Sequence, residues 1–458
     1  MKALRKALSK KWTVLTIISI FIISACQKQI DQPAKQGEMA AKANKDEHGH
    51  LKQANTYTAD VAIKWMNMQL RIMSTTTLAN VAFTRPYAYS GIALYESVVP
   101  GMPAYQSLAG QLNGLSGLPQ TEPGFAYHWP SAANAALAYV NKQIFPPLSA
   151  ANKASIDSLE NALNLQYQNE SDAQTVTRSI AFGKAIAEKI VEWAQTDGYL
   201  HVSDAYTAPT GEGLWVPTAP AFAAASTPYW GNLRTIVPGS GDNSQPGAPT
   251  PYSTEPSSDF YKMVKELYDV SQTLTPAQTA MALYWRDVPG VTTPGHYVSI
   301  LKQVLENDKL TLDKAAIAYA LGGISVNDAS ISAWQAKYHY NLVRPITYIR
   351  TVMGYTTWSP LFSTPGHPEY PAAHAVLSAA SAEAFTSQFG DSYSFTDHTY
   401  DYLGMAPRSF PSFRAFGEDA GYSRLYGGIH YRPSIVVGLW QGRKVAQNII
   451  GKLKFLKE

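Results

Sequence analysis

Apolar positions recur at helical spacing along most of this chain. TADVAIKWMNMQLRIM and FTRPYAYSGIALYESVV are each helix-length and apolar on one side. SAANAALAYVNKQI and SDAQTVTRSIAFGKAIAEKIVEWAQTDG repeat the period with alanine, and the second stops at Gly198. After residue 259 the period returns in FYKMVKELYDVSQTL, TPAQTAMALYWRDV and HYVSILKQVLEN. It continues in LTLDKAAIAYALGGISVNDASISAWQAKYHY, PAAHAVLSAASAEAFTSQFG and SIVVGLWQGRKVAQNIIGKL. No segment keeps the two-residue alternation and turn spacing of a sheet protein. The expected fold class is all-α, with two helical bundles and long Pro/Gly-rich connections.

Breaks in the period divide the chain. Residues 56–205 form a first helical bundle, 206–259 a proline- and glycine-rich crossover expected to run over the surface, and 260–458 a second helical region. The first 26 residues differ from all of these. Lys2, Arg5, Lys6, Lys10 and Lys11 precede the apolar run WTVLTIISIFII, which is of signal-peptide length and short for a membrane span. The run ends in ISAC, which resembles a bacterial lipoprotein cleavage box with Cys26 as the lipidated residue. The expectation is an exported protein anchored to a membrane by lipid, facing the periplasm or the outer-membrane surface. Residues 27–55, polar and rich in Lys, Gln and Ala, read as its flexible tether. Within the tether, DEHGH (residues 46–50) carries metal-ligand types, but nothing nearby fixes a geometry.

Composition narrows the chemistry. Cys26 is the only cysteine, so the rest of the chain holds no disulfide, thiolate-bound zinc, iron–sulfur cluster or cysteine nucleophile. The formal charge of +3 includes the five leader cations; without them about −2 remains, and no basic field points to nucleic acid. The 45% hydrophobic and 16% charged residues are those of a folded globular chain.

Three clusters stand out. In AWQAKYHYNLVRP, Lys337 and Arg344 are seven apart among aromatic and apolar neighbours with no acidic partner. That spacing predicts one helical face for both, with Pro345 ending the helix. In PEYPAAHAVLSAA, Pro371 marks a helix start and His374 falls in the first turn, beside the outward N–H groups of Ala372 and Ala373, an anion cradle. In SRLYGGIHYRPS, Arg424 and His430 flank a Gly427–Gly428 turn, and Pro433 opens the last helix. Each cluster alone has a plain reading as a solvated stripe, a capped histidine or a turn.

In order, the three resemble the motifs of the vanadium-dependent haloperoxidase and type-2 phosphatidic acid phosphatase superfamily, most closely its bacterial haloperoxidase-type branch. The motif-bearing likeness runs from about Ala333 to Ile450, and TPYWGNLRTIVPG with the alanine-rich helices extends it. The resemblance implies that residues 260–458 form an oxyanion-binding catalytic domain. It implies that Lys337, Arg344 and Arg424, with the Ala373 amide, bind a tetrahedral oxyanion. It assigns His374 to acid–base work and His430 to vanadium ligation, or to attack on phosphorus. Lys337 would also polarise bound peroxide. The implied cofactor is vanadate, with hydrogen peroxide and halide as substrates. The alternative is a phosphatase without cofactor acting on a phosphate ester. His367, Tyr370 and Phe362 lie where they would shape a halide pocket, although loop packing explains them as simply.

The chain departs from the family pattern at three positions, one of them Ala373, which keeps its N–H but adds a methyl group to the pocket where the family usually has glycine. Ala372 stands where the family usually has a serine, removing one hydroxyl donor at about 1.5–3 kcal/mol. Ser434 stands where an aspartate often follows the last histidine, and its carboxylate would orient that histidine in the phosphatases. The leading expectation is therefore a vanadate-dependent haloperoxidase. An acid phosphatase and a catalytically degenerate oxyanion-binding lipoprotein are the alternatives.

Overall fold

The computed structural model describes residues 44–45, 51–76, 78–145, 147–287 and 293–458. Cys26, the leader and DEHGH lie outside the described residues. Thirteen α-helices and one two-stranded hairpin make up the regular structure of the described residues beyond short 3-10 turns. In the first region these are α1 (Asp60–Ser74), α2 (Thr84–Val98), α3 (Trp129–Ile144), α4 (Ala150–Tyr167) and α5 (Ala173–Ala194). The second region holds α6 (Asp259–Gln272), α7 (Pro276–Tyr284), α8 (Thr293–Asn307), α9 (Leu312–Tyr340), α10 (Pro345–Thr351), α11 (Ala373–Phe389), α12 (Phe413–Tyr426) and α13 (Arg432–Lys452). Strands β1 (Phe395–Asp397) and β2 (Arg408–Phe410) pair antiparallel. The fold is all-α, as the period implies. Among the described residues no helix is long and apolar enough to cross a membrane.

Two helices lie at the centre. All of α2 is buried, as is nearly all of α9, so both are wrapped by protein on every side. Glycines let them approach: a Cβ on Gly91 would sit 2.6 Å from the Tyr319 carbonyl oxygen. The same device joins α11 to α13, where a Cβ on Gly442 would lie 1.9 Å from the Val376 carbonyl oxygen. The largest apolar cluster draws on both regions, with Trp65, Tyr87, Tyr319 and Val376 all buried in it. A second cluster, including Phe260, Tyr348, Tyr431 and Ile435, lies among α6, α10 and α13.

Four expectations need correction. Lys337 and Arg344 do not share a helix: α9 stops after Tyr340, where Asn341 takes a left-handed conformation (φ 45°) and its N–H bonds the Lys337 carbonyl oxygen at 2.9 Å. Pro345 begins α10 instead of ending α9, with Arg344 as its N-cap. The crossover is irregular but not superficial, because Trp215, Trp230 and Val237 are buried and the Asp328 carboxylate accepts from the Ile236 and Val237 N–H groups. The Ala372 N–H is not free for an anion, since it donates to the Ser434 carbonyl oxygen at 3.1 Å.

Gly442→Ala is expected to overpack the α11–α13 contact and destabilise the fold by about 1–3 kcal/mol. A lowered thermal midpoint in circular dichroism would register it; an unchanged midpoint would show that the helices can move apart freely.

Candidate oxyanion site

Helix ends and loops from distant segments meet around a cavity of about 250 Å³ whose wall includes Asp287, His367, Ala373, His374, Arg424 and His430. His374 is the second residue of α11, Arg424 lies in the last turn of α12, and His430 sits between α12 and α13. The loop that closes α12 turns at Gly428, whose φ of 76° suits glycine. Lys337 and Arg344 stand behind this wall. Arg344 Nη2 is 3.0 Å from His367 Nδ1, and its Nη1 is 3.3 Å from His430 Nε2.

The three cations are buried, with Lys337 and Arg344 at 0% exposure and Arg424 at 2%. None rests in a two-pronged carboxylate pair. Lys337 Nζ donates to the Pro368 and Glu369 carbonyl oxygens at 2.9 and 3.1 Å. Arg344 donates from Nε to the His367 carbonyl oxygen at 2.8 Å and from Nη1 to that of Ile429 at 3.0 Å. Arg424 Nη1 donates to the Trp285 carbonyl oxygen at 2.9 Å while its Nε has no hydrogen-bond partner, and its guanidinium lies 4.7 Å from the centre of the Phe362 ring. Carbonyl dipoles solvate these cations without cancelling their charge.

Two carboxylates face them. His374 Nε2 is 3.4 Å from Asp287 Oδ2, and Asp287 also accepts from the Thr293 N–H at 2.8 Å. Glu369, fully buried, accepts from the Tyr431 N–H at 2.9 Å and from the Ser434 hydroxyl at 2.6 Å, and lies 2.9 Å from His430 Nδ1. Three cations against two carboxylates leave the buried set net positive.

The titrations follow from burial first and from that excess second. Burial pushes the Arg344 and Arg424 guanidinium groups down to about 10. Burial, then Arg344, pushes the Lys337 ammonium well below its ordinary value. Burial and the surrounding cations hold His430 and His367 well below the usual histidine range. His374 is lowered by burial and by Arg424, against the pull of Asp287. Burial would raise Asp287, yet His374 and Arg424 hold it far below the usual carboxylate range. Burial wins at Glu369, pushing it up to about 7 against Ser434, Arg344 and Lys337. An anion in the cavity would offset part of the cost of burying the cations.

The structure thus gathers the five side chains singled out by sequence around one cavity, three in the wall and two behind it. Of the three flanking residues, His367 lines the cavity and Phe362 underlies Arg424. Tyr370 packs away, its hydroxyl donating to the Gly247 carbonyl oxygen at 2.8 Å. Asp287 and Glu369 escaped the sequence reading. Glu369 had a signal, as the one Asp, Glu, Lys or Arg between Arg350 and Glu383. Asp287 follows α7 with nothing nearby to mark it.

The model of the VCPO second helical-bundle domain matches residues 318–457. The crystal structure of the first bacterial vanadium-dependent iodoperoxidase superposes with a TM-score of 0.81 at 31% identity, covering 89% of this chain and 99% of that one. The holo-type bacterial vanadium-dependent chloroperoxidase gives a TM-score of 0.64 at 16% identity, covering 81% of this chain and 91% of that one, a likeness of fold. No curated protein is matched. With that fold and that coverage, the chain belongs to the vanadium haloperoxidase superfamily.

A stability change with pH follows from the buried rings. Below about pH 6.5 the unfolded chain takes up protons that His367, His374 and His430 resist in the fold, so the contribution of these rings to stability falls as pH falls. Glu369 works in the opposite sense, because the fold holds its proton up to about pH 7. Glu96, raised by burial to about 7, and Asp328, raised to about 6, work in the same sense as Glu369. Compared with wild type, His367→Phe is expected to gain stability between pH 7.5 and pH 5.5, read as a rise in its denaturant midpoint relative to the wild-type midpoint; an unchanged difference between the two proteins would contradict a ring held neutral by burial.

Proposed function

We propose that this chain is a haloperoxidase that binds vanadate and oxidises iodide with hydrogen peroxide. The observation that carries the proposal is the uncompensated positive charge buried behind and around a small cavity that exposes an imidazole. The donor set suits vanadate: Arg424 Nε lacks a partner, and no hydrogen bond holds the Ala373 N–H at the start of α11. Lys337, Arg344 and Arg424 would hold the oxyanion, and His430 would be its protein ligand through Nε2. Vanadate, when bound, supplies a Lewis-acidic centre that makes peroxide electrophilic toward a halide.

The chain's own residues do the rest. His430 Nε2 faces the Arg344 guanidinium, a donor, so this nitrogen presents a lone pair. Arg344 must loosen that contact when a ligand enters. His374 manages the proton balance, because iodide, peroxide and one proton give hypoiodous acid and water. Asp287, beside Nε2, stabilises the ring when it holds that proton. Lys337 adds positive charge behind the wall as negative charge develops.

Iodide is favoured by what the site lacks. Ala372 brings no hydroxyl, and its N–H is tied to Ser434. One donor fewer means weaker activation of peroxide, and iodide is the most easily oxidised common halide. The 31%-identical neighbour is an iodoperoxidase.

A phosphatase reading has one observation in its favour. Glu369 places a carboxylate on His430 Nδ1, supplying what Ser434 in place of aspartate appeared to remove. One experiment separates the two. Phosphate-free protein is assayed for halide oxidation with vanadate and peroxide, and for p-nitrophenyl phosphate hydrolysis without vanadate. Iodide oxidation exceeding bromide oxidation, and lost at least a thousandfold in His430→Ala, is expected. Phosphate ester hydrolysis inhibited by vanadate, with no halide oxidation, would replace this reading with the second.

A further inference from the structure

We infer that Glu369 is the positioning residue for His430, a carboxylate relocated from the helix after the histidine to the loop before the second motif. The inference rests on the reading of His430 as an oxyanion-site residue. A histidine that must offer Nε2 as a lone pair needs its proton held on Nδ1, and the partner of Nδ1 sets that tautomer. The residue four after His430 is on the adjoining helical turn and is well placed for this task, but here it is Ser434.

The exchange is direct. The Ser434 hydroxyl donates to Glu369 Oε2 at 2.6 Å, while Oε1 stands 2.9 Å from His430 Nδ1 and accepts from the Tyr431 N–H at 2.9 Å. Serine is thus the hydroxyl that holds the substitute carboxylate. On the other ring edge, Nε2 faces Arg344 Nη1, which can only donate. Both edges of His430 favour the same tautomer, but Glu369 at 2.9 Å is the stronger hold, because Arg344 Nη1 is 3.3 Å away and also donates to the Ile429 carbonyl oxygen.

Glu369 ties more than one arm of the site. Its own N–H donates to the Leu342 carbonyl oxygen at 3.0 Å, and its carbonyl accepts from Lys337 Nζ at 3.1 Å. One residue thereby joins the end of α9, the second-motif loop and the start of α13. Each of those segments carries one motif. Moving the carboxylate from 434 to 369 keeps its function at His430 while coupling that function to Lys337.

The test reads the tautomer and the anion affinity separately. Protein labelled with ¹⁵N-histidine is examined without added oxyanion by long-range ¹H–¹⁵N correlation, with His430 assigned by its loss in His430→Ala. Wild-type His430 is expected to carry its proton on Nδ1; a proton on Nε2 would overturn the inference outright. Glu369→Gln retains an acceptor and is expected to keep the tautomer. Glu369→Ala is expected to mix the tautomers and to weaken vanadate and phosphate binding, measured by calorimetry, by about 10- to 100-fold. Glu369→Ala combined with Ser434→Asp is expected to restore both. An unchanged tautomer in Glu369→Ala, or a folded double variant that restores neither, would overturn it. Wild-type protein that binds neither anion would instead sink the functional reading, leaving the tautomer result to stand by itself.

Discussion

Positive charge buried without matching negative charge is the constraint on which this structure depends. Lys337, Arg344 and Arg424 are almost fully enclosed, and main-chain carbonyl oxygens, rather than carboxylate pairs, accept most of their hydrogen bonds. Holding an ion in that state costs several kcal/mol. The fold must supply the stability that offsets it, and an anion entering the cavity returns part of it.

The packing shows where that stability comes from. Buried helices brought together by glycines form a rigid frame, and the charged groups sit at helix ends and in the loops above it. Lys337 is on the last turn of α9, Arg424 on the last turn of α12 and His374 on the first turn of α11. The frame keeps cations from spreading apart as their repulsion would dictate. Burial, and after it the same closeness of the cations, lowers the His367 and His430 titrations, so these rings stay neutral and one can present a lone pair.

Much of this was legible in the sequence, and the parts that were not have physical causes. Long helices with a clear apolar period were visible. The alanine- and asparagine-rich α4 went unnoticed, and so did α12, whose glycines and turn-like ending hide its helical character. Lys337, Arg344, His374, Arg424 and His430 announced themselves by type, order and proximity to proline or glycine. Their partners did not. Glu369 reaches His430 only because two segments meet in space, and spacing along the chain carries no trace of that contact. The end of α9 was misplaced for a local reason: Asn341 adopts the left-handed conformation before Pro345 is reached.

Titration calorimetry of vanadate into phosphate-free protein, paired with thermal unfolding, asks whether the buried cations take up an anion. Buried positive charge awaiting an anion predicts saturable binding, a midpoint that rises with vanadate, and about 2.7 kcal/mol of added stability at a hundredfold excess over Kd. It also predicts that Arg424→Ala loses most of that binding. A heat signal and an unfolding midpoint that ignore vanadate and phosphate alike would show that these cations hold no anion.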